Sequence, residues 1–182
     1  MKIILSFSIL FLYSQSICFS QTLPKEESLE TDTFFMWEVL DLKQAENTGF
    51  MYQNCNFKNL LLEGVQLGII RPFSNDSLQI RLSQEDFLNR TNQKKASNKI
   101  ILKSKVRYKF DEIIYQDVIA ISLYTTEGKL ICVFSYKELK ANLLLDNSDA
   151  IICLGENLKV SLVEVFENRY FKTKFLRKVK IE

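Results

Sequence analysis

Residues 99–110 read Lys-Ile-Ile-Leu-Lys-Ser-Lys-Val-Arg-Tyr-Lys-Phe (KIILKSKVRYKF) and alternate almost without a break. Ile100, Leu102, Val106, Tyr108 and Phe110 fall on one side of an extended chain. Lys99, Lys103, Lys105, Arg107 and Lys109 fall on the other. Period two over this length predicts a strand with one face on a core and one in water. Such half-solvated strands belong to antiparallel sheets.

The flanking sequence extends the pattern. Asp117 to Thr125 and Lys129 to Tyr136 surround Thr126-Glu127-Gly128, which predicts a hairpin. Arg169 to Ile181 alternates again. Phe171, Phe175, Val179 and Ile181 lie on one side, and Lys172, Lys174, Lys178 and Lys180 on the other. Only Tyr170 and Leu176 interrupt its polar side. Glu167-Asn168 reads as a tight turn joining this strand to Leu158–Phe166. Phe34 to Leu42 is read as the first core strand. Leu60 to Ile70 (LLLEGVQLGII) is read as an apolar strand with bulge-forming Gly64 and Gly68. Leu78 to Leu82 and Ala150 to Leu154 are short strands. Ser83, followed by Glu85 and Asp86, predicts a helix start. Lys137 to Leu145 predicts a helical turn. Asp146-Asn147-Ser148-Asp149 is a loop, without the ligand spacing of a calcium-binding loop.

The resulting fold class is mainly β. An antiparallel sheet closes as a barrel or sandwich with one or two short helices, and α+β is the alternative. Leu62 and Leu67 belong to a faint five-residue spacing that stops at Pro72, too soon for a solenoid.

The N-terminus has the layout of an export signal. Lys2 is followed by eleven mainly apolar residues, Ile3 to Tyr13, and then by the more polar Ser14 to Ser20. Cys18 and Ser20 suit cleavage before Gln21. The residues before Cys18, Gln15-Ser16-Ile17, do not make a lipidation signal. The apolar run is shorter than the about 20 residues a spanning helix needs, and no later run is longer. The expected organisation is a signal peptide over 1–20, a flexible acidic arm over 21–33, and one β-rich domain over 34–182. The expected location is secreted or periplasmic, with no transmembrane segment in the mature chain.

Composition removes whole classes of function. There is no histidine, so His-dependent nucleophile systems, His-based catalytic zinc sites and the His-carboxylate iron triad are excluded. No cofactor is expected. Cleavage would leave Cys55, Cys132 and Cys153. The expected bridge joins Cys132 to Cys153, which share the C-terminal half of the chain.

Charge is uneven despite a net +2. The 21–49 stretch is acidic, whereas 90–109 carries eight cations and no acid. The candidate binding residues are therefore Lys99, Lys103, Lys105, Arg107, Lys109, Lys172, Lys174, Lys178 and Lys180. If their two strands pair, they make one basic platform for an anionic protein, glycan or lipid headgroup. Nucleic acid is not expected, because export argues against it and no binding motif is present. Glu63, Asp117 and Glu164 are the carboxylates that a histidine-free hydrolase would use. The leading expectation is a non-enzymatic exported binding domain. The alternatives are a carrier with an apolar barrel pocket, a periplasmic immunity-type protein, and that hydrolase.

Overall fold

In the computed structural model the 99–110 stretch lies in β2 (Ala96–Lys109), the middle strand of a five-stranded sheet. The structure describes residues 31–51, 56–92, 96–145, 151–154 and 158–181; the expected signal peptide lies outside them. Strand β1 (Asp32–Asp41) pairs with β2, and its start at Asp32 lies two residues before the expected domain boundary. Strands β3 (Glu112–Thr125) and β4 (Leu130–Ser135) form the expected hairpin, with Gly128 at φ +82° in its turn. Strand β7 (Lys174–Lys180) pairs with the far side of β1. The order is β4-β3-β2-β1-β7, every pair is antiparallel, and the sheet is open. The mainly β reading holds. The sheet does not close as a barrel, so the barrel pocket required by the carrier reading is not formed.

Alternation decides which face of the sheet is covered. Ile100, Leu102 and Val106 are completely buried. Ile100 and Leu102 meet Leu40 from β1 and Ile121, Leu123, Cys132 and Phe134 from β3 and β4. The helices lie over this face. Helix α1 (Phe57–Gln66) occupies the segment read as a bulged strand. Phe57, Leu61 and Val65 recur every fourth residue and are buried together, which is helical spacing. The Asn56 side chain accepts from the Asn59 amide at its start, and Gly68 at φ +74° follows its end.

Helix α2 (Gln84–Asn92) begins as expected, with the Asp86 amide donating to Ser83 Oγ at 3.0 Å. The segment 78–82 is not a strand; it makes one bridge, Arg81 to Phe73. Helix α3 (Tyr136–Leu139) runs into a π-helical turn, Lys140–Leu144.

The expected hairpin over 158–181 is replaced by three elements. Strand β6 (Leu158–Ser161) pairs with β5 (Ile151–Leu154) in a separate two-stranded sheet. Helix α4 (Leu162–Glu167) follows directly. Ser161 and Glu164 form a reciprocal capping box, and Leu162, Val163, Val165 and Phe166 are buried. Glu167-Asn168 therefore ends a helix, not a strand.

Cys132, one half of the expected bridge, is a free thiol, fully buried in β4. Burial pushes its pKa far up, with Arg90 opposing weakly. Position 153 is on the other sheet, and its side chain lies outside those described.

Candidate functional site

The sheet face away from the helices is where side chains of unusual chemistry converge. β1 turns Phe35, Trp37 and Val39 to this side, opposite Lys105, Lys103 and Ile101 of β2. Lys103 Nζ sits 4.6 Å from the Phe35 ring centre and 5.1 Å from that of Trp37. From the other flank the Arg177 guanidinium covers the Trp37 ring at 4.2 Å. Each contact of this kind contributes about 0.5–1 kcal/mol at an exposed site and more when desolvated.

The segment 72–82 reaches this face from the far edge of the sheet. Phe73 pairs with β4, accepting from Val133 N at 2.9 Å and donating back at 2.6 Å. It covers Ala120 and Val133 in a second, smaller apolar cluster. Three residues on, Asp76 accepts the Trp37 indole N–H at 2.9 Å. Its backbone carbonyl accepts from Lys103 Nζ at 3.0 Å. A cleft of about 390 Å³ remains, lined by Trp37, Asp76, Ile101, Tyr124, Leu176 and Arg177. Burial, then Asp76, raises the Tyr124 hydroxyl pKa, so the phenol is protonated at neutral pH.

The predicted basic residues divide between the two faces. β2 and β7 do not pair, because β1 lies between them. The β2 row, Lys99, Lys103, Lys105, Arg107 and Lys109, is on the outer face as read. Arg107 stacks over Tyr115 at 4.6 Å. Acids stand opposite part of this row, with Asp41 in register with Lys99 and Asp117 with Lys105. The β7 row is split by a bulge. Trp37 pairs with Arg177 but Glu38 pairs with Phe175, so Leu176 is the extra residue. Lys174 therefore joins Arg177 and Val179 on the outer face. Lys178 and Lys180 turn to the helix side, opposite Met36 and Phe34. There Lys178 sits over Phe34 and Tyr108, at 4.9 and 4.8 Å. Lys180 bridges to Asp32 at 2.5 Å. Lys172 precedes the strand and lies 3.8 Å from Glu46.

The carboxylates singled out in the sequence are all exposed. Glu63 is on α1, Glu164 caps α4, and Asp117 lies beside Tyr115. Among the described residues the buried carboxylate is another one, Glu38, 7% exposed on β1. It accepts from Gln116 Nε2 at 2.8 Å, Arg169 Nη2 at 2.8 Å and Thr173 Oγ1 at 2.5 Å. This set fastens the approach to β7 onto the sheet. With three donors held on its two oxygens, it reads as structural.

The sequence pattern of the family described as "Gliding motility associated protein GldN" matches residues 33–124, half of the chain. The chain belongs to the GldN family. The matched span runs from β1 to the end of β3, so Phe35, Trp37, Asp76, Lys103, Lys105 and Arg107 all fall within it. Strand β7 and Arg177 fall outside it. No curated protein matches the chain. GldN membership associates the chain with gliding motility and gives the immunity-type and hydrolase readings no support. Among the described residues no helix is long and apolar enough to cross a membrane.

Proposed function

We propose that this GldN-family chain is an exported, non-enzymatic component of gliding machinery at the cell envelope. On this reading its outer sheet face docks an acidic surface of a protein partner. The observation that carries it is the placing of Lys103 and Arg177 over the rings of Phe35 and Trp37, with Lys105 in register with Phe35 and Arg107 next along the same row. Large aromatic rings flanked by cations are the usual anchors of protein interfaces. Membership in a motility family favours a protein over a glycan or lipid headgroup as the partner.

The test is retention on immobilised polyglutamate, heparin and anionic vesicles across a salt series. The screening length falls from about 10 Å at 0.1 M to about 3 Å at 1 M. Retention on polyglutamate should therefore fall steeply with salt, and should be lost in Lys105→Glu/Arg107→Glu. Equal retention of that variant, or indifference to salt, overturns the reading. Retention on heparin or vesicles alone overturns the choice of a protein. Export itself is checked by N-terminal sequencing of the secreted protein, which should begin at Gln21.

A further inference from the structure

The charges around the cleft beside Trp37 do not balance. Among the described residues three charged side chains meet there: Asp76, Lys103 and Arg177. Asp76 is the acid, and it is already engaged. Its Oδ2 accepts the Trp37 indole N–H at 2.9 Å and lies 3.8 Å from Lys103 Nζ. Lys103 is held in turn, since its Nζ donates to the Asp76 carbonyl at 3.0 Å. These two charges offset each other, and Arg177 is left over. Its guanidinium lies over the Trp37 ring at 4.2 Å, and among the described residues it has no carboxylate partner.

The backbone puts that guanidinium in place. Leu176 is the extra residue of the β7 bulge, and beyond it Arg177 comes into register with Trp37 on the outer face. Bulges are frequent next to active sites, where they re-aim a side chain. Tyr124 adds a second donor. It lines the same cleft, and its hydroxyl stands within electrostatic reach of both Asp76 and Arg177. The phenol is protonated at neutral pH, so it has a proton to donate. Leu176, Ile101 and the Trp37 ring make the rest of the wall apolar.

We propose that this cleft is the anchor pocket of the docking face, and that it receives one Glu or Asp side chain of the partner with an apolar neighbour beside it. The proposal rests on the docking reading above and names the group that the docked surface carries. A guanidinium fork binds both oxygens of a carboxylate at once, and a phenol O–H adds a third bond. A neutral side chain would leave Arg177 unmatched as the interface closes, and a buried charge without its partner is costly. A cation would be repelled. The β2 row attracts an acidic partner from a distance, whereas this pocket selects by contact.

The test titrates the full chain with two capped tripeptides, acetyl-Leu-Glu-Leu-amide and acetyl-Leu-Gln-Leu-amide, and follows the fluorescence of Trp37. The Glu peptide should bind at least about tenfold more tightly than its Gln twin. Arg177→Lys keeps the charge but loses the fork, and should weaken the Glu peptide by about tenfold. Tyr124→Phe should weaken it by about fivefold. Asp76→Asn still offers an oxygen to the indole and removes the acid that repels the ligand. It should tighten binding by about threefold, a gain that a misfolded variant could not produce. Polyglutamate retention separates this proposal from the docking reading, because Arg177→Lys should keep the salt-dependent retention that Lys105→Glu/Arg107→Glu loses. No preference between the peptides, a wild-type affinity in Arg177→Lys, or weaker binding by Asp76→Asn would each overturn the pocket while retention stands. Loss of retention by the wild type with the peptide preference intact would overturn the docking face and leave the carboxylate pocket.

Discussion

Replacing Glu38 with Ala removes the acceptor at the centre of three hydrogen bonds and leaves a guanidinium, an amide and a hydroxyl to find new partners. Breaking a buried ion pair costs about 3–5 kcal/mol when the remaining charge stays dry. The Arg169 side chain keeps 24% of its surface, so water can return to part of it. That places the ion-pair loss near the lower end, at about 3 kcal/mol. For a domain of this size such a loss lowers the melting temperature by about 6–12 °C.

Urea unfolding followed by the fluorescence of Trp37, the one tryptophan of the chain, measures it directly. Arg169→Ala alone should cost less, because Glu38 keeps Gln116 and Thr173. The double variant Glu38→Ala/Arg169→Ala should fall short of the sum of the two by at least about 1 kcal/mol, since contacting residues couple. A cost below about 1 kcal/mol for Glu38→Ala, or additivity within about 0.5 kcal/mol, would refute the view that this network fastens β7 to the sheet.

Two further outcomes test the helices. In Gly64→Ala the new Cβ would lie 3.1 Å from the Ile70 side chain and 3.2 Å from Leu143. The crowding should outweigh the about 1 kcal/mol of helix propensity gained, for a net loss of about 1 kcal/mol by denaturant titration, and a stabilised variant would contradict the packing. The Ser161 backbone amide, followed by the Ser161 side chain, holds the Glu164 carboxyl below its ordinary pKa. A depressed pKa stabilises the folded state above the unfolded value near about 4.3, and that contribution is lost as pH falls through the folded pKa. The stability gap between the wild type and Glu164→Gln should therefore be present at neutral pH and close in acid; a gap independent of pH would show that charge plays no part in the cap.

The sheet was readable where both of its faces wrote themselves into the sequence. β2 alternates because one side meets a helix layer and the other meets water. The strand reading of α1 fails because its apolar residues outnumber its polar ones, and Gly64, with Gly68 just beyond its end, suggests a bulge. Its four-residue spacing from Phe57 through Leu61 to Val65 was nonetheless present. The Ser161-x-x-Glu164 box was likewise a visible helix signal inside what was read as a continuous strand. Leu176 broke the alternation of the last strand, and that break marked the bulge which turns Lys178 and Lys180 to the helix side. Glu38 gave no local sign of its role, because Arg169 and Thr173 lie 131 and 135 residues away in the chain. The approach of Asp76 to Trp37 was hidden for the same reason.

The position of β1 between β2 and β7 has a bearing on the order of folding. β2 and β3 are joined by two residues, Phe110 and Asp111, both at positive φ, so their closure carries a small entropic cost and can come early. β1 finds one neighbour some 65 residues downstream and the other some 140 residues downstream. Until β7 arrives, Phe35 and Trp37 stand on an unfinished margin without the cover of Arg177. A chain that emerges N-terminus first, from a ribosome or through a membrane, would leave one flank of its tryptophan uncovered until the final strand is delivered. The interval before β7 docks is then the period in which a chaperone has most to protect.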